Sequence, residues 1–80
     1  MDAAITRATD LIVAEFPRLE GRFLTADTLL ADLQIDSQDK WQLVLATEQA
    51  FNTDIDDATA EGIATVGDLA QVIAARTARP

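Results

Sequence analysis

LQIDSQDKWQLVLATEQAF, running from Leu33 to Phe51, is the stretch whose reading decides the fold. An aspartate and a serine stand where an apolar periodicity begins, as at the start of a helix. At about 100° per residue, Leu43, Thr47, Phe51 and Val44 fall within one arc, which is a core-facing stripe. Gln38, Gln42 and Gln49 gather on another side of the helix with Leu45 beside them. Trp41 lies on the shoulder between the two faces. Ser37 stands at the N-terminal tip, where unpaired N–H groups and the helix dipole favour a bound or attached phosphate. On local physics alone, Asp36 or Ser37 reads first as a plain N-cap, since both residue types are common there. Trp41 is either a half-buried packing residue or an anchor for a partner.

Upstream, residues 3–16 carry Ile5, Ala8, Ile12 and Phe16 on one helical stripe, with Arg7, Asp10 and Glu15 off it. Pro17 ends that helix, because the residue before a proline disfavours the helical region. The connection from Arg18 to Asp36 is long. Gly21 permits a turn, and Thr25-Ala-Asp27 offers a cap for a short helical turn through Leu29 and Leu30. Leu29, Leu30, Leu33 and Ile35 are too apolar for a solvated linker, so the loop is expected to lie packed across the helices.

Downstream, Asn52 suits a helix C-terminus. Ile55 points to a core plug, and Asp57 to the cap of a short helix over residues 57–61 that Gly62 ends. Thr65 fits the N-cap of a last helix over residues 66–75, striped by Val66, Leu69, Ala70 and Ile73. Arg76 and Arg79 suit its negative end, and the tail beyond Ala75 is expected to fray. The pattern predicts an all-α fold: one domain spanning residues 1–80, built as a small four-helix bundle. Three helices are longer, one is short, and a long loop joins the first two.

The 80 residues are 49% hydrophobic and carry a formal charge of −8. An acidic surface of this kind repels nucleic acid and anionic membranes and steers basic partner surfaces towards itself. No apolar run approaches the roughly 20 residues that span a bilayer, and Met1 is not followed by a basic region and apolar signal core. With no cysteine for disulfides, the expected setting is a reducing one, the cytoplasm. Histidine, cysteine and tyrosine are all absent, which removes the commonest general base and the thiol nucleophile. Carboxylate-only catalysis needs a sheltered cleft that so short a chain has little material to build. The expectation is a protein that is not an enzyme. Asp54, Asp56 and Asp57 do not form a calcium loop: counted from Asp54, the fifth and twelfth positions are Ala58 and Thr65. No metal site is expected.

LLADLQIDSQDKWQLVLATEQAFNTDID, followed by AEGIATVGDLAQVI, resembles the acyl carrier proteins. The likeness lies in a D-L-x-x-D-S signature after a long loop, a second helix ending in E-x-x-F, an I-x-D turn, a short helix and an I-x-T-V step. From Leu33 to Ile73 the chain can be laid on that pattern without a gap. The resemblance implies that Ser37, with Asp36 beside it, receives 4′-phosphopantetheine from coenzyme A through a separate magnesium-dependent phosphopantetheinyl transferase. Acyl or aminoacyl groups would then ride as thioesters on the arm's thiol. That fits a chain with no thiol of its own. It further implies a monomer that meets a loading ligase, a synthase or an acyltransferase through its second helix. There the partner face would be Gln38, Asp39, Trp41, Gln42, Leu45, Glu48 and Gln49. An acyl pocket would be lined by Leu30, Leu43, Thr47, Ile55, Ala60 and Ile63.

The chain departs from the family pattern at several positions. Gln38 follows the serine where leucine is usual, and Gln34 stands where glycine is common. Gln42 and Gln49 replace frequent charges, and Trp41 replaces a small aliphatic residue. Gln38 is the main support for an alternative: an acidic helical adaptor with the carrier fold that never takes the arm.

Overall fold

The computed structural model describes residues 3–77, and Arg79 lies outside them. Four α-helices follow in order: α1 (Ala3–Glu15), α2 (Ser37–Phe51), α3 (Asp57–Glu61) and α4 (Val66–Thr77). Two 3₁₀ turns, Pro17–Leu19 and Ala31–Leu33, punctuate the connection between α1 and α2. There is no strand among the described residues, only an isolated antiparallel bridge between Leu29 and Thr65. The all-α four-helix bundle with its long first loop is therefore the fold. No helix among the described residues is long and apolar enough to cross a membrane.

The core forms where the apolar stripes converge. α1 packs chiefly on α4 and then on α2. Ile12, Leu19, Leu43, Ile63, Leu69 and Ile73 are the largest fully buried apolar side chains. Each such burial is worth roughly 1.5–3 kcal/mol. α1 turns Ala4, Ala8 and Ile12 fully inward, while Ile5 is only partly buried against the cluster. α2 buries Leu43, Val44 and Thr47. The Thr47 hydroxyl satisfies itself by donating to the Leu43 carbonyl at 2.8 Å, the standard solution for a buried threonine within a helix.

The long loop is tied down at both ends. Arg18 donates to the carbonyls of Leu33 (2.9 Å) and Gln34 (3.2 Å), and its guanidinium lies over the Phe16 ring. On the other side the loop pairs with the start of α4. Leu30 N–H donates to Ala64 O, Val66 N–H to Thr28 O and Gly67 N–H to Ala26 O, at 2.9–3.0 Å. Gly67 permits this approach, because a Cβ there would stand 2.8 Å from the Ala26 carbonyl oxygen.

Several local expectations are corrected. Thr25-Ala-Asp27 caps no helix. The Thr28 hydroxyl instead accepts the Thr25 N–H at 2.9 Å and closes a turn, and helical geometry returns only at Ala31. Leu29 is half exposed rather than packed, whereas Leu30, Leu33 and Ile35 are buried. The α3 N-cap position belongs to Asp56, which is extended (φ −71°, ψ 162°), so Asp57 is already the first helical residue. The last helix runs to Thr77, and the rest of the tail lies outside the described residues.

Candidate functional site

Asp36 takes an extended backbone (φ −79°, ψ −173°), and its side chain accepts the Asp39 N–H at 2.9 Å. Asp36 is thus the N-cap of α2, and Ser37 is its first helical residue. Ser37 is exposed, and among the described residues no protein group hydrogen-bonds its hydroxyl. The capping work is done by its neighbour, which leaves the serine oxygen free for chemistry at the positive end of a 15-residue helix.

Two grooves meet at this serine. One, of about 300 Å³, lies on the loop side and is lined by Leu30, Ile35, Ser37, Lys40 and Ile63 among others. The second, of about 210 Å³, runs between α2 and α3 and is lined by Ser37, Lys40, Trp41, Val44, Ala60 and Glu61. The Lys40 ammonium donates to the Glu61 carbonyl at 3.3 Å, so it reaches across from α2 to the end of α3. A phosphate-linked arm fits this setting: a free hydroxyl at a helix start, an ammonium one turn away and apolar grooves on either hand. Ser37 would hold such an arm, and Lys40 would face its phosphate. When bound, 4′-phosphopantetheine supplies the thiol that the chain itself lacks.

The six residues expected to line an acyl pocket are all buried. Leu30 and Ile63 reach the loop-side groove and Ala60 the α2–α3 groove, whereas Leu43, Thr47 and Ile55 line neither. The residues expected on a partner face divide in a similar way. Gln38, Trp41, Gln42, Leu45 and Gln49 are exposed on α2, with Trp41 at 47% and Leu45 at 50%. Trp41, Gln42, Leu45 and Gln49, with Glu15 of α1, line a shallow surface hollow of about 440 Å³. Asp39 and Glu48 are half-buried, and Glu48 is engaged internally, accepting the Ile55 N–H at 2.8 Å. Lys40 was missed by sequence reasoning, although its position three residues after Ser37 on a helix was signal enough. No group of three or more potential metal-ligating side chains occurs among the described residues.

An exposed serine on a small helical bundle, free at a helix start between apolar grooves, offers a hydroxyl to which a phosphate-linked group can be attached. Residues 10–73 match the family described as the phosphopantetheine attachment site. The chain is also 53% identical over 66 residues to an acyl carrier protein of Prochlorococcus marinus (strain MIT 9515), a match covering 81% of this chain and 82% of that one. The chain belongs to the acyl carrier protein family. It is accordingly a phosphopantetheine carrier and not a catalyst, and it works with a phosphopantetheinyl transferase and with synthases or transferases as a class.

Proposed function

We propose that Ser37 is the attachment point of the 4′-phosphopantetheine arm, and that the chain presents acyl or aminoacyl thioesters on it as a cytoplasmic monomer. In loading, the Ser37 oxygen forms a bond to the pantetheine-bearing phosphorus of coenzyme A. The pyrophosphate link breaks, the nucleotide half departs and the hydroxyl proton is released. The partners are the loading transferase, then an acyl- or aminoacyl-loading ligase, a synthase or an acyltransferase. They meet the chain over Gln38, Asp39, Trp41, Gln42, Leu45 and Gln49. The observation that carries this reading is the uncommitted Ser37 hydroxyl, exposed at the first turn of α2 where the two grooves meet. Gln38 is exposed beside it.

Intact mass after incubation with coenzyme A, magnesium and a broad-specificity phosphopantetheinyl transferase tests it. The expected result is one added phosphopantetheine, absent in Ser37→Ala. That variant should keep its stability to within about 0.5 kcal/mol, since Asp36 holds the cap. An unmodified chain, with this transferase and with those of its own source, would instead support the adaptor role.

A further inference from the structure

Lys40 is the single lysine of the chain. Its side chain borders both grooves, as Ser37 itself does. Its ammonium is held there by one neutral acceptor, the Glu61 carbonyl, at 3.3 Å. That is longer than the roughly 2.7–2.9 Å of a charge-assisted bond to an anion. The surroundings are otherwise acidic. Asp36 is committed to its cap, Asp39 follows on α2, and Asp68 of α4 lies close enough for Lys40 to lower its carboxyl pKa. No other cation of the chain lies on α2. Residues three apart on a helix are neighbours, and a helical side chain leans towards the N-terminus. From this position the Lys40 side chain can reach back over the turn that begins with Ser37.

Building on the assignment of the arm to Ser37, we propose that Lys40 is a strap that the arm itself releases. In the unmodified chain its ammonium ties α2 to the end of α3 through the Glu61 carbonyl. Once a phosphodiester stands on Ser37, the ammonium exchanges that carbonyl for the anion, because the phosphodiester carries a full negative charge and the carbonyl only a dipole. Its departure joins the loop-side groove and the α2–α3 groove into one cleft, open only when there is an arm to occupy it. Lys40 is thus a positioning residue for the phosphodiester and a link between loading and groove shape.

The single lysine makes the test direct. Protein labelled with ¹³C and ¹⁵N is compared by NMR before and after loading, with intact mass confirming the arm. On loading, the Lys40 ε-methylene signal and the Gly62 amide, which follows the Glu61 carbonyl, are expected to shift together. In Lys40→Gln the Gly62 amide should already be displaced without the arm and stay put on loading. The ³¹P signal of the loaded Lys40→Gln should differ from that of the wild type, and Lys40→Arg should restore the wild-type pattern. An unmoved Lys40 signal in a chain whose mass shows the arm would overturn the strap while leaving the attachment site standing. A Gly62 shift on loading that is the same in Lys40→Gln would do likewise. Failure to gain the arm at all would remove both. Should Lys40→Gln not fold, the wild-type and Lys40→Arg comparisons still decide.

Discussion

Glu48, near the end of α2, accepts the backbone N–H of Ile55 at 2.8 Å and so fixes the entry of the chain into α3. Ile55 is buried, and its amide has this carboxylate as partner. The bond gives a residue expected to face partners a structural role at the entry to α3 as well. A part-buried, charge-assisted bond of this kind contributes roughly 1.5–3 kcal/mol. Glu48→Ala should therefore lower unfolding free energy by about 2 kcal/mol in urea titrations followed by circular dichroism. A change below about 0.5 kcal/mol would return Glu48 to the surface.

Gln34 holds a left-handed backbone (φ 59°, ψ 35°) at the close of the Ala31–Leu33 turn. For a side chain other than glycine that conformation costs roughly 1–2 kcal/mol. Glycine removes the cost but loses more entropy on folding, by roughly 0.5–1 kcal/mol. The Gln34 carbonyl bonded by Arg18 is backbone and survives the change. Gln34→Gly is expected to be stabilising by up to about 1 kcal/mol, read as a raised urea midpoint. A lowered midpoint would show that the glutamine side chain supplies something its backbone geometry does not reveal.

What the sequence made legible was whatever is written locally. Apolar periodicity marked the helices, Pro17 stopped the first of them, and Asn52 proved to be left-handed at the end of α2 (φ 50°). The Thr65 hydroxyl accepts the Asp68 N–H, as an N-cap should. What stayed hidden were bonds from a side chain to a distant main-chain group. Arg18 to Leu33, Lys40 to Glu61 and Glu48 to Ile55 join residues 15, 21 and 7 apart, where no periodic pattern records them. The turn at Thr25 was misread for a related reason. A threonine hydroxyl serves a turn as readily as a helix start, and only the fold chooses between them. At the site itself, Asp36 and Ser37 could not be told apart as caps until the backbone showed which one stands outside the helix.

Asp68 closes the start of α4, its carboxylate accepting the N–H groups of Ala64 (2.9 Å) and Thr65 (3.1 Å). The Ala64 bond is the chief cause that holds its carboxyl below the ordinary aspartate value; burial opposes it as the next largest influence, and the Thr65 bonds and the charge of Lys40 add smaller lowering effects. A carboxyl depressed in the folded state favours the fold above its unfolded pKa, about 3.9. That contribution fades as pH falls from there through the lower folded value. The site is open to solvent, so screening keeps the effect small. Asp68→Asn is expected to be less stable than the wild type at neutral pH, with the difference in urea midpoint shrinking as the solution is acidified below pH ~4. A difference that does not change with pH would show that the carboxylate charge contributes nothing.

Trp41 stands on the ridge between the α2–α3 groove and the outer hollow it shares with Gln42, Leu45 and Gln49. Almost half of it is exposed, so its removal leaves little cavity in the core. Large amphipathic side chains are the commonest anchors in interfaces, where truncation often costs more than about 1 kcal/mol. The amide-rich face around it offers few charges to a partner, so apolar contact should carry more of the recognition than ion pairing. Trp41→Ala is accordingly expected to lower kcat/KM for phosphopantetheine transfer to Ser37 about tenfold, equivalent to about 1.4 kcal/mol. Gln42→Ala should have a smaller effect. The Trp41→Ala loss should persist at high salt, whereas a loss caused by steering charges would fade there. Unchanged loading by Trp41→Ala, in a variant whose urea midpoint is intact, would move the transferase contact away from this ridge towards Asp39 and the first turn of α2.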